Sequence, residues 1–371
     1  MKSFGAKPQG LRLERIKASP RWAGEHFRNL HPILPGLRDP NVPMPTITEF
    51  LCGGERRVPK APLPSMNPLD AWRGKPGSGL RATWLGHSTV LIEIGGLRVL
   101  TDPVWGTRAS PSSLAGPKRF QPVPVALREL PPIDVVAVSH DHYDHLDYPT
   151  IRELAKGDVP FVTSLGVGAH LEAWGVPAAR ITELDWWESH ELPKGGLTIT
   201  AAPSQHFSGR GLHGRNATLW SSMVLRSRGH AVFFSGDTGL TTEYQEIGQR
   251  LGPFDLVMLE VGGLHPSWGD MHLGPENALK ALALLGGGAF LPIHWGTFSL
   301  AMHAWDQPAE LLFERGPKAG ARLMMPRLGE PVEPAHADGV EPWWRGVDVA
   351  ASAPRVEPEA TLPKAMPWPI D

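Results

Sequence analysis

Between Ser139 and Asp147 the chain reads Ser-His-Asp-His-Tyr-Asp-His-Leu-Asp, which sets His140, His142, Asp144 and His145 at the spacing H-x-H-x-D-H. Three imidazoles and an interleaved carboxylate stand directly after an apolar run, 133–138, that reads as a buried strand. Neutral imidazole is the commonest protein ligand for transition metals, and carboxylate oxygens complete mixed N/O sites for zinc and its neighbours. One short segment supplies only part of a coordination sphere. The fold must therefore bring further ligands to this strand end from elsewhere in the chain.

Composition narrows the class. The formal net charge is −2, which gives no support for a nucleic-acid partner. A single cysteine, Cys52, excludes an intramolecular disulfide framework and a cysteine-built metal site. The first ten residues lack the apolar core of a signal peptide, and no apolar run is long enough to span a bilayer, so a soluble, cytoplasmic protein is expected. The chain carries 39 Pro and 41 Gly, which predicts short strands joined by many turns. Its 14 Trp against 3 Tyr make an apolar substrate cleft more plausible than average.

Residues 1–79 read as a Pro-rich extension that wraps a following domain, 80–332, and residues 333–371 as a Pro-rich tail running over the surface. Within the domain, β-prone runs are expected at 81–85, 90–94, 97–101, 133–138, 160–163, 181–184, 197–201, 219–226, 231–235, 255–260, 289–293 and 321–325. Helices are expected at 148–156, 165–174, 243–251, 275–285 and 308–315. Two sheet-rich halves with interspersed helices fit two sheets packed together with helices outside better than a doubly wound parallel sheet.

Candidate partners for the histidine cluster stand at three later strand ends: His206, Asp237 and His294. Each alone also reads as a surface hydrogen-bonding residue or a turn-former. Together with the cluster they make five His and two Asp, a count that suits two adjacent metals sharing one carboxylate. No activated Ser, Cys or Lys nucleophile is evident, and two metals that activate water remove the need for one. Asp102, Asp141 and Asp147 are candidates for outer-shell acceptors, although each also reads as a turn or cap residue. His87 reads first as a structural hydrogen-bonding residue, and Lys118 and Arg119 as loop charges. Trp186, Trp187, Trp268 and Trp295 are candidates to line a cleft.

The ordered set H-x-H-x-D-H, then His, Asp and His, each after a strand, resembles the metallo-β-lactamase superfamily of hydrolases. Thr83–Thr89 (TWLGHST), Pro117–Phe120, Glu183–Trp187, Pro203–His206, Gly252–Leu256 and Ile293–Phe298 are similar to the family of phospholipases D that hydrolyse N-acyl-phosphatidylethanolamine. The resemblance covers about residues 80–330. It implies an α+β fold, an αββα sandwich of two mixed sheets packed face to face with helices outside. It implies that His140, His142 and His206 hold one zinc, that Asp144, His145 and His294 hold a second, and that Asp237 bridges them. It gives Asp144 and Asp237 a further role in orienting the attacking water, and it places His272 near the scissile phosphate.

The implied activity is cleavage of N-acyl-phosphatidylethanolamine to N-acylethanolamine and phosphatidic acid, with a phospholipid partner and peripheral contact with a membrane. Alternatives are a soluble phosphodiester or a sugar-phosphate lactone on the same centre, and a metal-binding protein without catalysis. Iron or manganese suits the same ligand types as zinc. A homodimer is the default for such an enzyme.

Overall fold

The structure, a computed structural model, describes residues 2–32, 46, 56–193, 195–211, 214–263, 271–337 and 339–347. Helix α1 (Gly10–Ala18) and helix α2 (Leu69–Arg73) precede a first set of strands: β1 (Leu80–Gly86), β2 (Thr89–Ile94), β3 (Leu97–Thr101), β4 (Val135–Val138), β5 (Phe161–Ser164) and β6 (Ile181–Leu184). Helices α3 (Tyr148–Leu154) and α4 (Gly168–Ala173) follow β4 and β5. The second set is β7 (Ser189–Glu191), β8 (Thr198–Ala202), β9 (Ser222–Ser227), β10 (His230–Phe234), β11 (Leu256–Glu260), β12 (Ala289–Ile293) and β13 (Arg322–Leu323). Helices α5 (Glu243–Leu251), α6 (Gly274–Leu284) and α7 (Gln307–Arg315) stand between β10 and β13, and β14 (Pro331–Val332) closes the series.

These strands form two mixed sheets of seven, ordered β14-β1-β2-β3-β4-β5-β6 and β13-β12-β11-β10-β9-β8-β7. Period-two burial shows how they stack. Val90, Ile92 and Ile94 of β2, with Val135 and Ala137 of β4, enter the large core shared with the second sheet. Leu91, Val136 and Val138 face the other way, onto Ile151 of α3 and Leu171 of α4. The expected αββα layering is what these faces build.

Strand directions then decide where the site lies. β1 is antiparallel to β2, and β2 to β3, while β3 and β4 are parallel, so the C-terminal ends of β1, β3 and β4 share one rim. By the same reasoning β8, β10, β11 and β12 all end at one rim of the second sheet. The two rims meet: His294 N–H donates to His87 O at 3.0 Å, and Ser221 N–H to Ser139 O at 3.2 Å.

Some elements escape the sequence pattern. β7 is a polar edge strand without alternation, and β14 is two residues with a proline, both tolerated because a sheet edge needs no full ladder. α1 lies in the extension and presents one fully buried side chain, Ile16. Residues 333–347 do more than run over the surface. Trp343 and Trp344 are buried, and Trp343 stacks on Trp295 with ring centroids 5.7 Å apart. Among the described residues, no helix is long and apolar enough to cross a membrane.

Candidate metal centre

All seven predicted ligand positions converge at the joined rims, and all are buried. The first cluster forms because β4 ends at Val138 and the chain then turns through 139–147 before Asp147 caps α3 by accepting the Thr150 N–H. His206 arrives from the loop after β8, Asp237 from the turn after β10 and His294 directly after β12. At the turn before Asp237, Gly236 has φ 55° and a side chain there would lie 2.6 Å from Ser139 Cβ. Beside His294, Gly262 leaves room for the backbone, since a Cβ would sit 2.0 Å from His294 O. His87, Asp102 and His294 hold left-handed backbone at φ 53°, 32° and 64°, a strained conformation for non-glycine residues that aims each side chain into the rim.

Donor atoms gather in two adjoining groups. In the first, His140 Nε2 lies 2.9 Å from His142 Nδ1, which lies 3.3 Å from His206 Nε2. Asp237 Oδ2 stands 3.9 Å from His140 Nε2 and 3.7 Å from His206 Nε2. In the second, Asp144 Oδ2 is 3.4 Å from His145 Nε2 and 3.3 Å from His294 Nε2. Asp237 Oδ2 also lies 3.2 Å from both of those nitrogens, so one carboxylate oxygen borders both groups. Ligand atoms about 2.0–2.1 Å from one tetrahedral ion stand about 3.3 Å apart, which is the spacing seen here. His145 Nε2, His294 Nε2 and Asp237 Oδ1 are buried without a hydrogen-bond partner, as metal-facing atoms would be. The donor set fits two ions.

Outer acceptors set the imidazole tautomers. His145 Nδ1 donates to Asp102 Oδ2 at 2.7 Å and His206 Nδ1 to Met271 O at 3.1 Å, because neither acceptor carries a proton to give. Ser139 Oγ donates to Asp102 Oδ2 at 2.6 Å, leaving its lone pair for the His140 Nδ1–H at 2.9 Å. Each arrangement leaves Nε2 as the inward lone pair. Of the three supporting carboxylates proposed from sequence, Asp102 alone touches a ligand ring. Asp147 caps α3 and accepts the Gly106 N–H at 3.0 Å. Asp141 binds Thr218 Oγ1 at 3.0 Å and His170 Nε2 at 3.3 Å.

Electrostatics follow from burial. Desolvation lowers the His140, His142 and His206 imidazoles, His142 to about 3. Burial acts the same way on His145 and His294, but the Asp237 and Asp144 carboxylates outweigh it, lifting His145 well above the ordinary range and His294 to about 10. In the metal-free chain those two imidazoliums balance the carboxylates. Opposing the burial that would raise them, the same ion pairs hold Asp144 and Asp237 well below the usual carboxylate range.

Other sequence candidates fall differently. His272 reaches the site, its ring centroid 5.1 Å from His206 and 5.4 Å from His294, with Nδ1 3.2 Å from Glu260 Oε1. His87 has a more specific task than a general structural bond: its Nε2–H donates to Asp144 Oδ2 at 2.8 Å. Burial lowers His87 to about 3, so it is neutral; with Nδ1 unpartnered, its one proton faces the carboxylate, and it stands in one donor group with Asp144, His145 and His294. Arg119 ties down its own loop through Val104 O and Gly106 O. Trp186 packs with Ile16 and Phe27, away from the centre. Trp295 lines a small cavity of about 20 Å³ beside His294, shared with Arg57, Phe120, Phe298 and Trp305. Trp268 lies outside the described residues. Glu260 was missed; its signal is an acid ending the apolar run 256–259, which is buried and accepts the Leu273 N–H at 2.6 Å.

Residues 97–295 match the family model described as the beta-lactamase superfamily domain. An uncharacterized protein of Mycobacterium tuberculosis is 43% identical over 347 residues, 92% of each chain. The N-acyl-phosphatidylethanolamine-hydrolyzing phospholipase D 1 of Caenorhabditis elegans is 41% identical over 233 residues, which are 60% of this chain and 65% of that protein. Among solved structures, the metallo hydrolase Igni18 from Ignicoccus hospitalis aligns with a TM-score of 0.53 at 23% identity, over 68% of this chain and 97% of its own.

Proposed function

The chain belongs to the metallo-β-lactamase superfamily as a metal-dependent hydrolase, and from that membership we propose that it is a dinuclear zinc phosphodiesterase of phospholipase D type. Its proposed substrate is N-acyl-phosphatidylethanolamine, cleaved to N-acylethanolamine and phosphatidic acid. The observation that carries the dinuclear reading is Asp237 Oδ2, set 3.2 Å from His145 and His294 Nε2 and 3.7 Å from His206 Nε2, between two otherwise separate donor groups. Identity to the C. elegans phospholipase supports the substrate.

His140, His142, His206 and Asp237 would hold one ion and Asp144, His145, His294 and Asp237 the other. When bound, such a pair lowers the pKa of water and neutralises charge on phosphate oxygens. The chain's own groups organise the rest. Asp102, Met271 O and Ser139 keep the ligand imidazoles in the tautomer that points Nε2 inward, and His87 holds Asp144. Glu260 fixes His272 through Nδ1, with a ring nitrogen of His272 within 4.8 Å of donor atoms of Asp237 and His294. From there His272 is placed to hydrogen-bond a phosphate oxygen or the departing alcohol oxygen.

A single metal-quantified preparation offered lipid vesicles containing N-acyl-phosphatidylethanolamine, a soluble phosphodiester and a lactone tests this reading. N-acylethanolamine release that stops with chelator and returns with zinc is expected. Fast lactone turnover with inert lipid would replace the substrate while keeping the centre. Metal binding without turnover on any of the three would overturn the enzymatic reading.

A further inference from the structure

The site depends on a residue far outside residues 97–295. After α1, the extension buries Phe27 with Ile16, Leu165, Trp186, Leu219 and Trp220, and Phe27 N–H donates to Asn216 O at 2.8 Å. Two residues on, Asn29 meets the backbone of His206. Asn29 Nδ2 donates to His206 O at 2.8 Å, and Asn29 Oδ1 accepts the His206 N–H at 3.1 Å. Trp220 Nε1 donates to the same Oδ1 at 3.0 Å, which fixes the amide's orientation, because an NH₂ there would face a donor.

His206 lies in a buried stretch without regular secondary structure, so no strand neighbour pairs its peptide group. One side chain does so instead, as a neighbouring strand would. Both bonds act on the main chain of a ligand residue, and the His206 ring is fixed at Nδ1 by Met271 O. Main-chain position and ring orientation together set where Nε2 points. The start of the extension reaches the other ligand loop: Ala6 N–H donates to His170 Nδ1 at 3.0 Å, and Arg210 bridges Ser3 O to Asp141 O, the residue between His140 and His142.

We propose that Asn29 is a positioning residue of the metal centre: it holds His206 at the distance the first metal group requires, so the N-terminal extension completes a site that the family domain alone leaves loosely built. The proposal rests on the metal reading above, and outer-shell contacts of this kind change metal affinity by about 10- to 100-fold.

The test uses the full chain, zinc in competition with a chromophoric chelator, and the absorption of the cobalt-substituted protein. Asn29→Ala is expected to weaken zinc binding at least about tenfold and to alter the cobalt spectrum. Asn29→Ser, whose single hydroxyl can serve only one of the two His206 main-chain groups, is expected to fall between it and the parent, and provides the measurement should the alanine variant not fold. Leu312→Ala serves as the stability control: it empties part of the core under α7 without touching the extension or His206, and its zinc affinity should stay at the parent value. Asn29 variants within threefold of the parent, or a Leu312→Ala variant that loses as much affinity, would overturn the proposal. A parent protein that binds no zinc or cobalt would instead sink the metal reading, and the proposal with it.

Discussion

Replacing Asp102 by Asn removes no volume and one charge, yet it should disable two metal ligands at once. The buried carboxylate accepts three hydrogen bonds: Ser139 N–H on Oδ1 at 2.7 Å, and Ser139 Oγ–H and His145 Nδ1–H on Oδ2 at 2.6 and 2.7 Å. An amide has one acceptor oxygen. With that oxygen in the Oδ2 position, its NH₂ meets the Ser139 N–H, a buried donor against a donor. With the amide turned over, the NH₂ faces His145 Nδ1, which must lose its proton and carry it on Nε2, the metal-facing atom. Ser139 Oγ would then accept from the NH₂ and donate to His140 Nδ1, switching that tautomer as well.

Leaving one buried group unsatisfied costs about 1–3 kcal/mol. Set against metal binding at about 1.4 kcal/mol per tenfold, this predicts a loss of about 5- to 150-fold in zinc affinity, which brackets the roughly 10- to 100-fold usual for outer-shell substitutions. The assay is chelator competition near neutral pH, with the melting temperature of the metal-free protein alongside. Asp147→Asn, at a buried carboxylate that caps α3 and touches no ligand ring, should cost stability and leave zinc affinity unchanged. A zinc dissociation constant for Asp102→Asn within threefold of the parent would refute the tautomer argument.

His142→Ala removes the nitrogen nearest both His140 and His206 and should lower turnover at least about a hundredfold together with metal content, read by elemental analysis. His294 in the metal-free chain keeps its proton up to about 10 and His145 well above its ordinary range, so zinc must displace both protons at neutral pH. Calorimetry in buffers of different ionisation enthalpy should show proton release, and zinc affinity should fall as pH drops. The sign reverses for the metal-free fold: stability from the raised His294 is present below about 6.5 and lost as pH rises through about 10, visible in melting temperature against pH. Trp344→Ala, which empties a buried site and removes one of the two donors to Glu310 Oε1, should destabilise by about 3–5 kcal/mol in denaturant unfolding, while metal content per folded chain stays constant. His272→Ala should reduce kcat by more than it reduces zinc affinity, because the group of Asp144, His145, His294 and Asp237 is complete without it, although His272 also reaches donor atoms of Asp237 and His294.

Much of the centre is legible because metal ligands are dense in unusual residue types and sit where strands stop. H-x-H-x-D-H after 133–138 announces itself, and His206, Asp237 and His294 become readable once that cluster demands partners. Helices and strands with strong periodicity, such as α6 and β2, are legible for the same reason: their burial pattern is local. Asp102, Glu260, His87 and Asn29 are not legible as a set, because each acts through hydrogen bonds to residues 12 to 177 positions away. Nothing in the local pattern distinguishes Asp102, which orients a ligand, from Asp147, which caps a helix.

The sequence by itself determined which chemical groups are available, that they have the chemistry of metal ligands, and that strand ends carry them. Those properties follow from side-chain chemistry and from the period of burial, both written along the chain. Only the tertiary structure decided which nitrogen of each histidine faces inward, which carboxylate is shared, and that the extension reaches the site. Tautomer and register are set by acceptors across space, and two sheet rims must close on each other before those acceptors exist.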